Sequence, residues 1–211
     1  MEWVIQLPVL FFSVVVHEFC HGWAAYRSGD DTALKAGRLT LNPAAHIDAF
    51  GTVFLPLLCF FTHAPMFGWA KPVPVNPRRL RNPARDMVRV ALMGPLANIV
   101  LAFAGALAYK LVSVVSLFSP GFQRTVLDAL LAAVVINLFL AFFNLIPIHP
   151  LDGSRIVGGL LPRGLGRLYE RLAPFGTFLI LVLLMTRQLS VLVMWPMNVV
   201  LSIWTNIGLL G

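Results

Sequence analysis

Val14-Val15-Val16-His17-Glu18-Phe19-Cys20-His21 lies inside an apolar run covering residues 3–26, and its reading decides the fold. Residues four apart on a helix share a face, one turn above each other, so His17 and His21 can both reach one metal ion. The pattern H-E-x-x-H puts Glu18 beside that ion, placed to take a proton from a bound water. The surrounding helix is hydrophobic nearly all round, and lipid does not hold two imidazoles and a carboxylate without a use for them. The remainder of the chain must then supply a third ligand from the same side of a membrane.

Composition agrees with a membrane setting. The 211 residues are 58% hydrophobic and 12% charged, with a mean hydropathy of +0.82. Soluble domains carry about 25% charged residues, so half that fraction points to a polytopic membrane protein. Met1-Glu2-Trp3 has no basic region, which makes the first apolar run a retained span and not a cleaved signal peptide. The net charge of +7 is scattered over loops between apolar runs, so lipid orientation explains it and no nucleic-acid partner is expected. Cys20 and Cys59 form no C-x-x-C pair and read as packing residues.

A membrane span needs about 20 apolar residues. Five runs qualify as helices: 3–26, 88–117, 126–148, 172–186 and 189–210. A sixth run, 47–62, is short and carries Pro56 near its middle, which suits a re-entrant segment. Re-entry places Arg27, Lys35, Arg38, the basic residues from Lys71 to Arg89, and Arg155, Arg163, Arg167 and Arg171 on one side. Only Lys110, Arg124 and Arg187 remain opposite. This asymmetry predicts an outside N-terminus, five spans and a site opening toward the cytoplasm of a cell membrane. His46 and His63 bracket the re-entrant run and read as interfacial.

The expected fold class is thus an all-α polytopic membrane protein in one integral-membrane domain over 1–211. Its core covers 3–153, and C-terminal helices cover 172–210. Stretches 39–43 and 73–77 each alternate before an Asn-Pro stop, which predicts two short extended strands flanking the re-entrant run. Pro72 and Pro74 confine the second to an edge, where Val75 could pair with an extended partner. In Gly94-Pro95-Leu96-Ala97-Asn98 the small residues permit close helix approach. Asn98 reads either as a hydrogen bond between helices or as a group at the site.

Asn144-Leu145-Ile146-Pro147-Ile148-His149-Pro150-Leu151-Asp152-Gly153 ends the run 126–148. Pro147 and Pro150 break the helix, and the freed carbonyls are tolerated only in a protein-buried or wet cavity. Asp152 on this unwound segment is a candidate third ligand, completing His-His-Asp with an open position for water, and His149 is a competing one. The ends of the runs 3–26 and 126–148 can share a face only if an even number of crossings separates them. Re-entry of 47–62 satisfies that condition.

With these motifs in order over residues 17–153, the chain resembles the site-2 protease family of intramembrane zinc metalloproteases. The carriers are His17-Glu18-x-x-His21, Gly94-Pro95-Leu96-Ala97-Asn98, and Asn144-x-x-Pro147 leading to Leu151-Asp152-Gly153. The resemblance implies Zn2+ held by His17, His21 and Asp152, Glu18 as general base, and Asn144 against the substrate backbone. It implies transmembrane or signal-peptide-derived substrates and a small prokaryotic-type member without PDZ or CBS domains. His149 stands where small relatives often have proline. The competing classes are a zinc-binding membrane protein without proteolysis, such as a transporter or a pseudoprotease, and a purely structural bundle. Glu18 argues against the first, since zinc binding alone does not require it.

Overall fold

The computed structural model describes residues 2–54, 58, 61, 70–115 and 118–210. Helices carry the described chain: α1 (Glu2–Arg27), α2 (Thr32–Lys35), α3 (Pro83–Val114), α4 (Pro120–Asn144), α5 (Asp152–Leu160), α6 (Arg163–Glu170), α7 (Ala173–Met185) and α8 (Gln188–Asn206). Four of them, α1, α3, α4 and α8, are long and apolar enough to cross a membrane. A fifth span exists if α6 and α7, bent by 60° at their junction, count as one. The 13 residues of α7 reach only about 20 Å, short of a hydrocarbon core of about 30 Å, so α7 alone does not suffice.

Local sequence explains the limits. Helix α1 stops at Ser28-Gly29, where Gly29 adopts a φ of 105°, a conformation glycine takes at no steric cost. Pro83 opens α3, and the buried Asp86 carboxylate reaches back to accept from the Asn82 N–H at 2.8 Å. Helix α4 ends at Asn144, before the expected 148, because Pro147 cannot continue the hydrogen-bond ladder.

Helices α1, α3 and α4 pack on one another as the centre of the molecule. The buried face of α3 runs at every fourth position: Asp86, Val90, Gly94, Asn98, Ala102 and Ala106. Small residues there let the backbones approach, as helices in lipid require for tight packing. Ala102 and Ala106 meet Val134, Leu138 and Met197, while Val90 meets Ala24, Ala25 and Leu80. A third cluster joins Ile146 and Leu151 to Leu189 and Val193 and braces the turn that delivers Asp152.

The two expected strands are absent among the described residues. Asn42 and Asn76 instead cap short 3-10 turns, Pro43–His46 and Pro77–Arg79, by accepting from Ala44 N–H and Arg78 N–H at 3.1 Å. The Asn-Pro pairs that looked like strand stops are helix starts. Along 72–77 the donors for a continuous ladder are missing. Pro72, Pro74 and Pro77 lack an N–H, Val73 N–H donates to Glu18 Oε2 at 2.7 Å, and Asn76 N–H donates to Asp30 Oδ2 at 2.6 Å.

Of the expected re-entrant run, Ala49–Phe54 forms a π-helical turn, and most of the run beyond Phe54 lies outside the described residues. The chain leaves at His46 and is back at Lys71, whose N–H donates to the His46 carbonyl at 2.9 Å. Further bonds fix the returning stretch of chain to the end of α1: Arg81 N–H to the Ser28 carbonyl at 3.1 Å, and Arg79 to Asp31. Cysteines placed at Lys35 and Lys71, with Cys20 and Cys59 replaced, should therefore react with a membrane-impermeant thiol reagent from the same side of sealed vesicles. Labelling from opposite sides would contradict the meeting of these two ends.

Candidate metal centre

His17 and His21 sit one turn apart on α1, both buried, with ring centroids 4.6 Å apart. Asp152 enters from the first turn of α5, where its carboxylate also benefits from the positive end of the helix. Its Oδ2 lies 3.1 Å from His17 Nε2 and 3.1 Å from His21 Nε2, and the two ring nitrogens are 2.9 Å apart. Among the described residues, these three form the one group of His, Cys, Asp or Glu side chains arranged to hold a metal ion.

The far ring nitrogens decide what the near ones can do. His21 Nδ1 faces the Val90 carbonyl at 2.7 Å, and His17 Nδ1 faces Asn98 Oδ1 at 2.6 Å. Each Nδ1 must donate, so each neutral ring turns an Nε2 lone pair toward Asp152. Three acceptor atoms within 3.1 Å of one another need a cation among them: a proton, or a metal ion that displaces it. Two imidazole nitrogens and one carboxylate oxygen are the donor set of a catalytic zinc site that keeps a position open.

Space is reserved there as well. A Cβ at Gly94 would fall against His21 Nε2 and lie 2.6 Å from His17 Nε2. Gly153 has no side chain because the Leu145 and Ile146 carbonyls press against it, which brings Asp152 in from the broken end of α4.

Other expected residues are distributed differently. Glu18 is half-buried beside the trio, its Oε2 held by the Val73 amide. Asn98 is fully buried, with its oxygen on His17. The Asn144 amide turns back to the Leu140 carbonyl of its own helix at 2.9 Å. The Val75 side chain packs on the Ala24, Ala25, Leu80 and Val90 cluster. His149 stands with its ring centroid 5.2 Å from that of Tyr169 and is not part of the trio. His46 is fully buried within the protein, with Nε2 2.9 Å from the Thr40 carbonyl, while His63 lies outside the described residues. From sequence, Val73 is expected only as part of a strand, and Val90, Ser13 and Asn137 are not singled out at all. The first two act through backbone atoms, which carry no side-chain signal. The last two are polar residues in the middle of apolar runs, which is itself a pointer to function in a membrane.

Residues 6–186 match the family model described as peptidase family M50. The chain belongs to that family. This M50 member is 39% identical over 189 residues to "Putative zinc metalloprotease YwhC" of Bacillus subtilis, covering 89% of this chain and 83% of that protein. It is 29% identical over 190 residues to "Putative zinc metalloprotease Rip2" of Mycolicibacterium smegmatis, covering 89% of this chain and 69% of that one. Against zinc metalloprotease MJ0392 of Methanocaldococcus jannaschii the identity is 25% over 201 residues, 94% of this chain and 45% of the relative. No solved structure matches. The M50 chain is thus a multi-pass membrane metalloprotease of the site-2 protease family, and zinc is its metal.

Gly94→Ala should abolish stoichiometric zinc binding while leaving helical content at the wild-type level. Zinc content by atomic emission alongside circular dichroism checks it, and retained zinc would mean that the ion does not lie in the space Gly94 leaves.

Proposed function

We propose that the chain is an intramembrane endopeptidase in which His17, His21 and Asp152 bind zinc and Glu18 is the general base. The observation that carries this reading is the buried convergence of the two imidazoles and the carboxylate, with Glu18 on the adjoining position of α1. When bound, zinc supplies Lewis acidity toward a carbonyl and lowers the pKa of a water toward neutrality. Glu18 takes the water's proton and hands it to the leaving amine nitrogen. The Val73 N–H fixes Oε2, which leaves Oε1 to receive the proton.

The substrates are transmembrane or signal-peptide-derived segments. A substrate helix hides its amides, so the segment must open locally before cleavage. Asn144, at the end of α4, is suited to hold the exposed backbone. Within 72–77, Val75 is the one residue whose N–H is neither missing nor bonded to Glu18 or Asp30, so its backbone is the point at which an extended segment can pair.

The same reading covers orientation. The trio joins the late part of α1 to the first turn of α5, with α3 and α4 between them, and the bond between His46 and Lys71 supports a re-entrant 47–62. The basic residues then place the N-terminus outside and open the site to the cytoplasmic side of the cell membrane. One domain over 1–211 holds the site, with 172–210 as supporting helices.

Wild type and Glu18→Gln should be compared on a model single-span substrate in proteoliposomes. The variant should keep its zinc and lose at least about 100-fold in cleavage rate, the scale expected of a general base. Equal cleavage by both would remove Glu18 from the mechanism. Zinc binding without cleavage by either would favour a binding protein over an enzyme.

A further inference from the structure

Behind His17, on the side away from Asp152, three buried polar side chains join three helices. Asn98 of α3, Asn137 of α4 and Ser13 of α1 are 0%, 3% and 1% exposed. Asn98 Nδ2 donates to Asn137 Oδ1 at 2.8 Å and to the Ser13 carbonyl at 3.3 Å. Asn137 Nδ2 donates to Ser13 Oγ at 2.9 Å and to the Ala133 carbonyl at 2.9 Å. Ser13 Oγ donates to the Val9 carbonyl at 2.8 Å, so it meets Asn137 with a lone pair.

A carboxamide is nearly symmetric in shape, and only its partners decide which end donates. Here the decision begins at backbone carbonyls, which cannot donate. Ala133 requires the nitrogen of Asn137, which turns Asn137 Oδ1 toward Asn98. That oxygen, together with the Ser13 carbonyl, requires the nitrogen of Asn98, which turns Asn98 Oδ1 toward His17. An oxygen there, 2.6 Å away, requires the proton of His17 to be on Nδ1. His21 needs no such relay, because the Val90 carbonyl sets its ring directly.

We propose that Asn137 is a positioning residue for the metal site. Anchored by Ala133 and Ser13, it fixes the Asn98 amide and thereby the His17 tautomer that offers Nε2 to the metal. The inference rests on His17 being a zinc ligand. Hydrogen-bonded partners behind a ligating histidine are worth about 10–100-fold in metal affinity. Asn137 acts one step further back, and its effect passes through a single amide.

That dependence gives a test distinct from simple helix packing. An aspartate at position 98 has only acceptor oxygens when ionised, so it holds His17 Nδ1–H whatever stands at 137. Zinc affinity of the purified full chain, measured by competition with a chelator, is the readout, and no cleavage assay is involved. Asn137→Ala and the bulkier Asn137→Leu should each weaken zinc binding about 10-fold or more. In an Asn98→Asp background the same substitutions should cause no further loss. Equal losses in both backgrounds, or none in either, would overturn the relay. His17→Ala is the control: if it binds zinc as tightly as wild type, the ligand reading fails and not the relay. Helical content and elution volume identify any variant that does not fold. The Leu form preserves volume at position 137 should the Ala form prove unstable.

Discussion

A buried polar atom in a membrane protein must find a partner within the protein, and this constraint organises the centre of the molecule. His17 and His21 each have two nitrogens to satisfy. One of each faces the other imidazole and Asp152, and the second is answered by Asn98 or by the Val90 carbonyl. Asn98 in turn has an amide to satisfy, and so does Asn137. The bonds end at backbone carbonyls of α1 and α4, within the same three helices that form the hydrophobic centre. The cluster of His17, His21 and Asp152 and the helix packing are therefore one structure, and neither can be altered without the other.

A second set of bonds fixes Glu18, the proposed base. Asp30, just past the end of α1, takes the Asn76 N–H, and Ser28 takes that of Arg81. Lys35 and Arg79 both pair with Asp31, and they hold its carboxyl below its ordinary range. The segment 70–82 is thereby laid along the end of α1, where Val73 meets Glu18. Gly22, one position after His21, permits this approach, since a Cβ there would lie 2.8 Å from Val73 Cγ1.

How much of this could be read from residues alone differs by kind of signal. The spacing of His17 and His21 sufficed because helical geometry converts a separation of four into a shared face. Asp152 was legible because Pro147 and Pro150 break an apolar run where only a cavity tolerates a break. Alternation around 39–43 and 73–77 misled, because it does not distinguish a ladder from a loop, and in 73–77 the donors go to carboxylates. Glu18 and Asp30, distant in sequence, take those donors. Asn98 was visible as a buried amide, but its partner His17 is 81 residues away and no local rule connects them.

Val90, Gly94 and Asn98 lie at successive turns on the buried stripe of α3. They supply, in order, the carbonyl for His21, the open volume beside both rings, and the oxygen for His17. Sliding α3 by one turn, about 5.4 Å, would set glycine opposite the nitrogen that needs an acceptor. Any ion held by the histidines therefore favours one helix register over its neighbours, and by linkage its supply becomes part of the folding equilibrium. At a free concentration about one hundred times its dissociation constant, a ligand of the native state alone contributes about 2.7 kcal/mol. Metal scarcity would thus loosen the bundle as well as silence it.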